Sequence, residues 1–565
     1  MLNRLFRENG VALLAYFLAT LFTNAHFMAD TADYVESIVS YNENRYYEFW
    51  EFGHVLWRPL GWVLMRAALP VTSLIAGHDL RANGTIVLMS LCWAAGLVSV
   101  LALAAILRRF CLRPWLINVT VIAFIVSHGF LNYAQTGAPY MVSVALLFVA
   151  LYMLLRSDDG RKLTTRNSLL SGIAIGGMIC FWFPFVMAVP AILCAPLLFS
   201  PPDKKKIKAL IVAAVLGGSL VCAVYAAVAI GGVGTHTIGG FRRWMQETTG
   251  QSAQDKGVAR TVFGFSRSLI YMGNDGMLFK RYLVHDPYNP VTALDLLRLS
   301  FWKMILFYLF VGSILFNLLR SNQGRRAFVL FLINAIPVIG LALYWQGGDI
   351  ERYLALYPVL FLALGISLCS EQALRGLNYI ALIFVAAMAF TNVRAMSLIL
   401  NREQEAEASR IRELIPLLKP TSLVYVANFQ DELFNFYKSF PFNPINRAGT
   451  LKVAGLIEVG GKVAPQWRQD FAARARSAWD HGGDVWVTRR VLSPRPASNW
   501  NWVEGDDKRI SWTDIYRFFA QLEMGQSVGG EDGFTLLPPS PENKQLLDQL
   551  NKDPSGNSKI SAESQ

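Results

Sequence analysis

The sequence predicts a polytopic α-helical membrane protein of about eleven transmembrane helices, followed by a C-terminal soluble α/β domain. Three observations carry this. Of the 565 residues, 53% are apolar and only 16% are charged, a balance that soluble globular chains rarely show. Apolar runs recur at the length that a helix needs to cross about 30 Å of hydrocarbon, with charge confined to their ends. After about residue 392 the pattern changes to apolar strands alternating with amphipathic helices.

In chain order the runs cover Gly10 to about Phe27 and Ala82 to Leu107, the latter stopped by Arg108, Arg109 and Arg113. Leu116 to Asn132 and Ala138 to Leu155 follow, then Ser168 to Phe185 and Val186 to Phe199, which read as a tight hairpin through Trp182 and Pro184. Beyond the basic stretch Lys204, Lys205, Lys206 and Lys208 comes Ile207 to Ile230. Phe301 to Leu319 and Ala327 to Trp345 flank Arg320, Arg325 and Arg326, and Tyr353 to Leu368 and Leu377 to Thr391 flank Arg375.

If the amino terminus, with Arg4 and Arg7, is cytoplasmic, every short basic loop falls on the cytoplasmic side, as the positive-inside rule requires. Residues 1–391 then form the transmembrane region, with external loops over 30–81, 232–300 and 346–352. Residues 392–538 form an external or periplasmic α/β domain, and 539–565, dominated by polar residues and proline, form a disordered tail. The first run reads as a retained anchor rather than a cleaved signal. The net charge of +12 is largely an orientation signal, so no nucleic-acid partner is needed to explain it.

Cys92, Cys111, Cys180, Cys194, Cys222 and Cys369 all sit in or beside spans, so neither a disulfide framework nor a CxxC metal site is expected. In the tail, a charged amphipathic helix over Asn401 to Leu418 leads into strands at Leu423 to Ala427, Val453 to Val459 and Asp484 to Thr488. Gln466 to Trp479 and Trp512 to Glu523 have helical spacing, and no phosphate loop, Ser-His-Asp order or zinc signature accompanies them. Recognition or support is the role expected of this domain.

The spans hold almost no Asp, Glu, Lys or Arg, which argues against a proton- or ion-coupled transporter. Charge collects instead at the outer face. Directly after the first span, helical spacing puts Asp30, Asp33 and Tyr34 on one face. Further along the same loop, His54 and Arg58 stand one helical turn apart, just before Pro59. Two more external segments contribute Asp349, Glu351, Arg352 and Tyr353, and the basic set Arg242, Arg243, Lys256, Arg260, Arg267, Lys280 and Arg281. Singly, the aspartates read as helix caps and the arginines as side chains reaching for headgroups; their convergence on one face points to a site.

The order of these motifs resembles the GT-C membrane glycosyltransferases, which include protein O-mannosyltransferases and lipid A aminoarabinose transferases. The shared pattern is an Asp with a Tyr four residues on (Asp30, Tyr34), a His or aromatic turn with Pro (His54 to Gly61), and a late Arg-Tyr-Leu before Pro (Arg352, Tyr353, Leu354, Pro358). Two positions depart from it: Gln135 to Tyr140 lacks the acid and Arg found in many relatives, and Thr31 follows Asp30 where a Glu is common. The donor and the division of labour between Asp30 and Asp33 stay open.

The resemblance implies an inverting glycosyltransferase of the inner (plasma) membrane. It would take its sugar from a polyprenyl-phosphate donor and pass it to a hydroxyl on a glycan, lipid or protein acceptor outside. Asp30 is the expected base with Asp33 in support, and Arg58, Arg352, Arg242 and Arg243 are expected on the phosphate. Tyr34, His54, Glu351 and Tyr353 complete the substrate-binding set, although His54 reads equally as a packing residue. A divalent metal between Asp30 and Asp33 or Asp349 is the one cofactor left open. Two other readings remain: a polysaccharide polymerase or ligase, and a non-enzymatic transporter or envelope assembly factor.

Overall fold

The computed structural model describes residues 2–25, 30–39, 49–77, 80–111, 113–156, 165–200, 203–248, 257–272, 275–397, 402–428, 452–457, 463–497, 502 and 510–552. The outer ends of the first span (26–27), Lys256 and residues 553–565 lie outside that set. The chain divides into two units. One comprises residues 1–69, 84–272 and 300–401, and the other 70–83, 273–299 and 402–565.

In the first unit all eleven apolar runs are helical. They are α1 (Leu2–Phe22), α4 (Leu80–Leu107), α5 (Pro114–Ile125), α7 (Tyr140–Arg156), α8 (Thr165–Phe181), α9 (Val189–Phe199), α10 (Lys204–Ala227), α15 (Trp302–Leu319), α16 (Asn322–Tyr344), α17 (Tyr357–Cys369) and α18 (Arg375–Met396). Between them lie α2 (Thr31–Val39), α3 (Trp57–Ala76), α6 (His128–Tyr133), α11 (Ile238–Thr248) and α12 (Val258–Leu269). Among the described residues, seven helical stretches are long and apolar enough to cross a membrane, with several shorter apolar helices beside them. The protein is a multi-pass membrane protein.

Helix α3 is one of those seven stretches, although sequence reading placed it in an external loop. Its packing shows how it runs. Added to Gly61, a Cβ would lie 2.9 Å from Leu88, and Gly84 faces the Met65 sulfur in the same way at 3.3 Å. The chain therefore retraces the first turns of α4 in the opposite direction, away from residues 89–107. Those residues span about 28 Å at 1.5 Å each, enough to cross the hydrocarbon.

Small residues let other helices approach closely. A Cβ on Gly172 would meet the Ala213 carbonyl oxygen at 2.9 Å, one on Gly176 would meet Leu220, and Gly217 faces back onto Gly172. This is the small-residue interface by which helices pack where burial of apolar surface supplies no driving force. A second device is Asn392 on α18, fully buried. Its amide donates to the carbonyls of Val126 and Leu269 at 2.7 Å each and accepts from the Tyr271 N–H at 2.6 Å. One polar side chain thus satisfies three backbone groups at the ends of α5 and α12.

Two sequence expectations need correction. Cys111, past the end of α4, is disulfide-bonded to Cys369 at the end of α17, with Cα atoms 5.7 Å apart. The pairing is long-range, with a sequence separation of 258, so spacing along the chain gave no sign of it. Disorder was also expected from residue 539, but Pro541–Lys552 is a helix that places Leu547 and Asn543 in the interior. Its polar composition masked the spacing of Leu546, Leu547 and Leu550, which suits one helical face.

The second unit carries a five-stranded sheet of β1 (Leu423–Asn428), β2 (Lys452–Ile457), β3 (Val485–Thr488), β4 (Ser527–Val528) and β5 (Phe534–Leu537), in the order β2-β1-β3-β5-β4. The first three strands are parallel, and β5 runs antiparallel to β3 and β4. Alternate residues of β1 face two layers: Leu423 and Tyr425 pack with Trp467, Phe471 and Phe519, while Val424 and Val426 pack with Leu414 and Ile415. Residues 273–299, with α13 (Asp275–Val284) and α14 (Ala293–Leu296), belong to this unit. There the fully buried Arg281 pairs with Asp286 at 3.3 Å, and the Tyr288 hydroxyl meets Thr513 at 3.0 Å.

Replacing Gly176 with leucine forces side chain into a contact that has no room for a methyl group. Overpacking of this kind costs about 1–3 kcal/mol, so Gly176→Leu should lower the melting temperature of the detergent-solubilised protein, whereas Gly218→Leu, with open space around its Cα, should not.

Candidate active site

The site is assembled where five helical pieces end. Asp30 stands immediately before α2, whose first turn carries Asp33, and Tyr34 lies one turn on. Thr31 accepts from the Gly137 N–H at 2.9 Å, and the Trp57 indole donates to the Gly137 carbonyl at 3.0 Å. Gly137 admits this because a Cβ there would meet the Thr31 methyl at 2.7 Å. These contacts tie α2, α3 and the turn before α7 together. Gln135, in the segment that departs from the GT-C pattern, is buried and donates to Thr23 and the Leu131 carbonyl.

Around Asp30 the described residues place Tyr34 and Tyr140, whose hydroxyls both approach the same carboxylate oxygen, at 3.4 and 3.5 Å. The Tyr140 ring stands edge-on to Tyr133, Trp182 and His54. Tyr133 in turn donates to Glu351 at 2.7 Å. Arg58, buried, lies over the Tyr34 ring at 4.7 Å and is ion-paired with Glu51. Arg352 sits over the Trp345 ring at 3.8 Å, faces Trp182 at 5.4 Å, and donates to the Gln346 side chain. The Nε–H groups of Arg58 and Arg352 are buried and have no hydrogen-bond partner among the described residues.

His54 has its Nδ1 3.3 Å from the Phe181 carbonyl. A carbonyl only accepts, so Nδ1 carries the proton and Nε2 faces Glu51 at 3.8 Å as a lone pair. Burial lowers the His54 pKa below that of a free imidazole, leaving the ring neutral at pH 7. Burial pushes the Glu51 carboxyl up, but the Arg58 guanidinium, through its charge and its hydrogen bond, outweighs it and holds the carboxyl below its usual range.

Asp30 is open to solvent at its surface yet ringed closely enough that burial dominates its chemistry. Burial first, then repulsion from Asp33, Glu51 and Glu351, raises its pKa to about 7 against the pull of Arg58. Asp349 is raised for the same reasons, burial and then Glu351, with Arg352 and Arg267 opposing. A carboxyl poised near neutrality is what a general base requires.

The structure thus brings Asp30, Asp33, Tyr34, His54, Arg58, Glu351 and Arg352 into one cluster. Tyr353 lies beneath it, its hydroxyl directed at the Gly347 carbonyl at 2.6 Å and the Thr261 carbonyl at 3.0 Å. Arg242 and Arg243 are exposed on α11, which is anchored by Trp244 through Phe52 and the Trp50 carbonyl. Among the described residues, no group of three or more His, Cys, Asp or Glu is arranged to hold a metal ion. Sequence reasoning passed over Glu51, Tyr133, Trp182 and Gln346. For Glu51 the signal was present, since it precedes His54 by three residues and Arg58 by seven, both helical spacings.

No protein-family model matches the sequence, and no curated protein matches it either. Solved structures do. ArnT from Cupriavidus metallidurans bound to undecaprenyl phosphate superposes with a TM-score of 0.50 at 11% identity, over 95% of this chain and 98% of that one. The fold is ArnT-like. Two further matches are weaker: the archaeal oligosaccharyltransferase AglB from Archaeoglobus fulgidus, with an inhibitory peptide and a dolichol-phosphate (TM-score 0.44, 13% identity, 95% of this chain and 74% of that one), and apo ArnT from Cupriavidus metallidurans (0.40, 14%, 96% and 98%). At 11% identity the likeness to ArnT speaks to architecture alone.

Proposed function

We propose that this protein transfers a sugar from a polyprenyl-phosphate-linked donor to an acceptor hydroxyl by direct, inverting displacement at the outer face of the inner (plasma) membrane. The acceptor hydroxyl gives its proton to Asp30 as its oxygen attacks the anomeric carbon. The bond from that carbon to the phosphate oxygen breaks, and the phosphate leaves with the electron pair, its charge met by Arg58 and Arg352. Asp33 and Glu351 keep Asp30 basic by repulsion, and Tyr34 and Tyr140 orient its carboxylate. Arg242 and Arg243 are proposed to meet the lipid phosphate as it approaches, and Tyr353 to hold the floor of the site.

One observation carries the reading. Two buried guanidinium groups, each with an unpartnered Nε–H, flank a carboxyl whose pKa lies near 7. A phosphate needs such forked donors, and an acceptor hydroxyl needs such a base. Outward sidedness fits as well, since nucleotide sugars are made in the cytoplasm and a transferase outside must draw on a lipid carrier. The likeness to a structure bound to undecaprenyl phosphate agrees with that donor class.

Radiolabelled sugar transfer in vesicles from a panel of polyprenyl-phosphate sugars tests the proposal. Asp30→Asn, still folded, should lose about 10²- to 10⁴-fold in rate, the range for a removed general base, and Arg58→Ala should lose comparably. The native rate should climb as pH rises through about 7, where Asp30 gives up its proton, and then level off. Undiminished transfer in Asp30→Asn would remove it as the base.

The proposed topology has the amino terminus in the cytoplasm and the C-terminal domain outside. Helices α4 and α17 both run from the site to Cys111 and Cys369, so under this topology the pair would lie at the cytoplasmic end. Cytoplasmic thiols are kept reduced, so the bond seen in this structure should open in the cell, and the pair should be found as free thiols when cells are quenched with a membrane-permeant alkylating agent and analysed by mass spectrometry. An intact bond in the cell would instead put that end outside.

A further inference from the structure

Gln346 has a positive φ of 52°, in the left-handed region that non-glycine residues occupy sparingly because Cβ crowds the backbone. It comes just after Trp345, the C-cap of α16, where a glycine usually ends a helix, and Gly347 and Gly348 come next. Of these two, Gly347 is sterically committed: a Cβ there would run into Thr261 and lie 2.9 Å from the Ala342 carbonyl oxygen. The Tyr353 hydroxyl pins the Gly347 carbonyl from below, and the Asp349 N–H returns to the Gln346 carbonyl at 3.1 Å. This turn is rigidly held, and it presents a glutamine at the position that glycine would fill with least strain.

The Gln346 side chain accounts for that choice, because its carbonyl oxygen accepts from the Arg352 guanidinium. Trp345, the residue before it, lies under the same guanidinium at 3.8 Å, and the Trp182 ring is 5.4 Å away. The Trp345 ring and the Gln346 amide hold the guanidinium from two adjacent residues. What is left over is the Nε–H, buried and without a partner among the described residues.

We infer that Gln346 is a positioning residue, its left-handed backbone retained so that its amide holds Arg352 over the Trp345 indole with the Nε edge turned to an anionic phosphate. This rests on the proposed glycosyl transfer from a polyprenyl phosphate. A purely structural glutamine at a helix end could give way to glycine with no loss of phosphate binding; a positioning one could not.

The test compares the native full-length protein with Gln346→Gly and Gln346→Asn, measuring melting temperature and equilibrium binding of undecaprenyl monophosphate in nanodiscs. Glycine relieves the backbone, and asparagine tolerates it but is one methylene too short to reach Arg352. Both variants should melt at or above the native temperature, yet bind about tenfold more weakly, the effect of losing a hydrogen bond to a charged group. Native-like binding by Gln346→Gly would overturn the inference and leave the transferase reading intact. A large fall in melting temperature in both variants would also overturn it, making Gln346 a folding residue. Failure of the native protein to bind this lipid or transfer from its sugar conjugates would bring down the function and the inference together.

Discussion

Everything at the site follows from the difficulty of burying positive charge at the end of an apolar helix bundle. A guanidinium taken out of water must be met by opposite charge, hydrogen bonds or a polarisable face. Arg58 has the Glu51 carboxylate and the Tyr34 ring; Arg352 has two indoles and the Gln346 amide. Neither arrangement uses every donor, and the donors left over are what an anionic ligand can take. The same enclosure raises Asp30, so one physical condition produces both the phosphate-binding groups and the base.

Charge balance sharpens this. Asp30, Asp33, Glu51, Asp349 and Glu351 outnumber Arg58, Arg267 and Arg352, and His54 is neutral at pH 7. The surplus of carboxylates makes it unfavourable for all to ionise together, so protons are retained at Asp30 and Asp349. A departing phosphate adds negative charge just as the base gains a proton. The site's total charge therefore changes little through the reaction, which suits a water-poor setting where reorganisation is restricted.

The spans were legible because hydrocarbon imposes length on sequence. Asp30, Tyr34, Arg58 and Arg352 lie beside the ends of such runs, where charge is conspicuous. Tyr133, Tyr140 and Trp182 were harder to see, since an aromatic residue near a span end is ordinarily an interfacial anchor; only the fold shows these three turned inward. Gln346 had no signal of its own, because a backbone dihedral is not written in composition. The Cys111–Cys369 pairing and the antiparallel return of α3 along α4 likewise depend on contacts between distant segments. In the C-terminal unit β1 to β3 were visible as apolar runs, whereas β4, two residues long, was too short to register.

The measurement that bears most directly on this account is a cryo-electron microscopy structure of the protein with undecaprenyl phosphate. The account predicts phosphate oxygens within hydrogen-bond distance of the Nε–H groups of both Arg58 and Arg352, with the Asp30 carboxylate facing the side from which an acceptor would attack. A phosphate seated on the exposed Arg242 and Arg243 of α11, with Arg58 still bound only to Glu51, would contradict it.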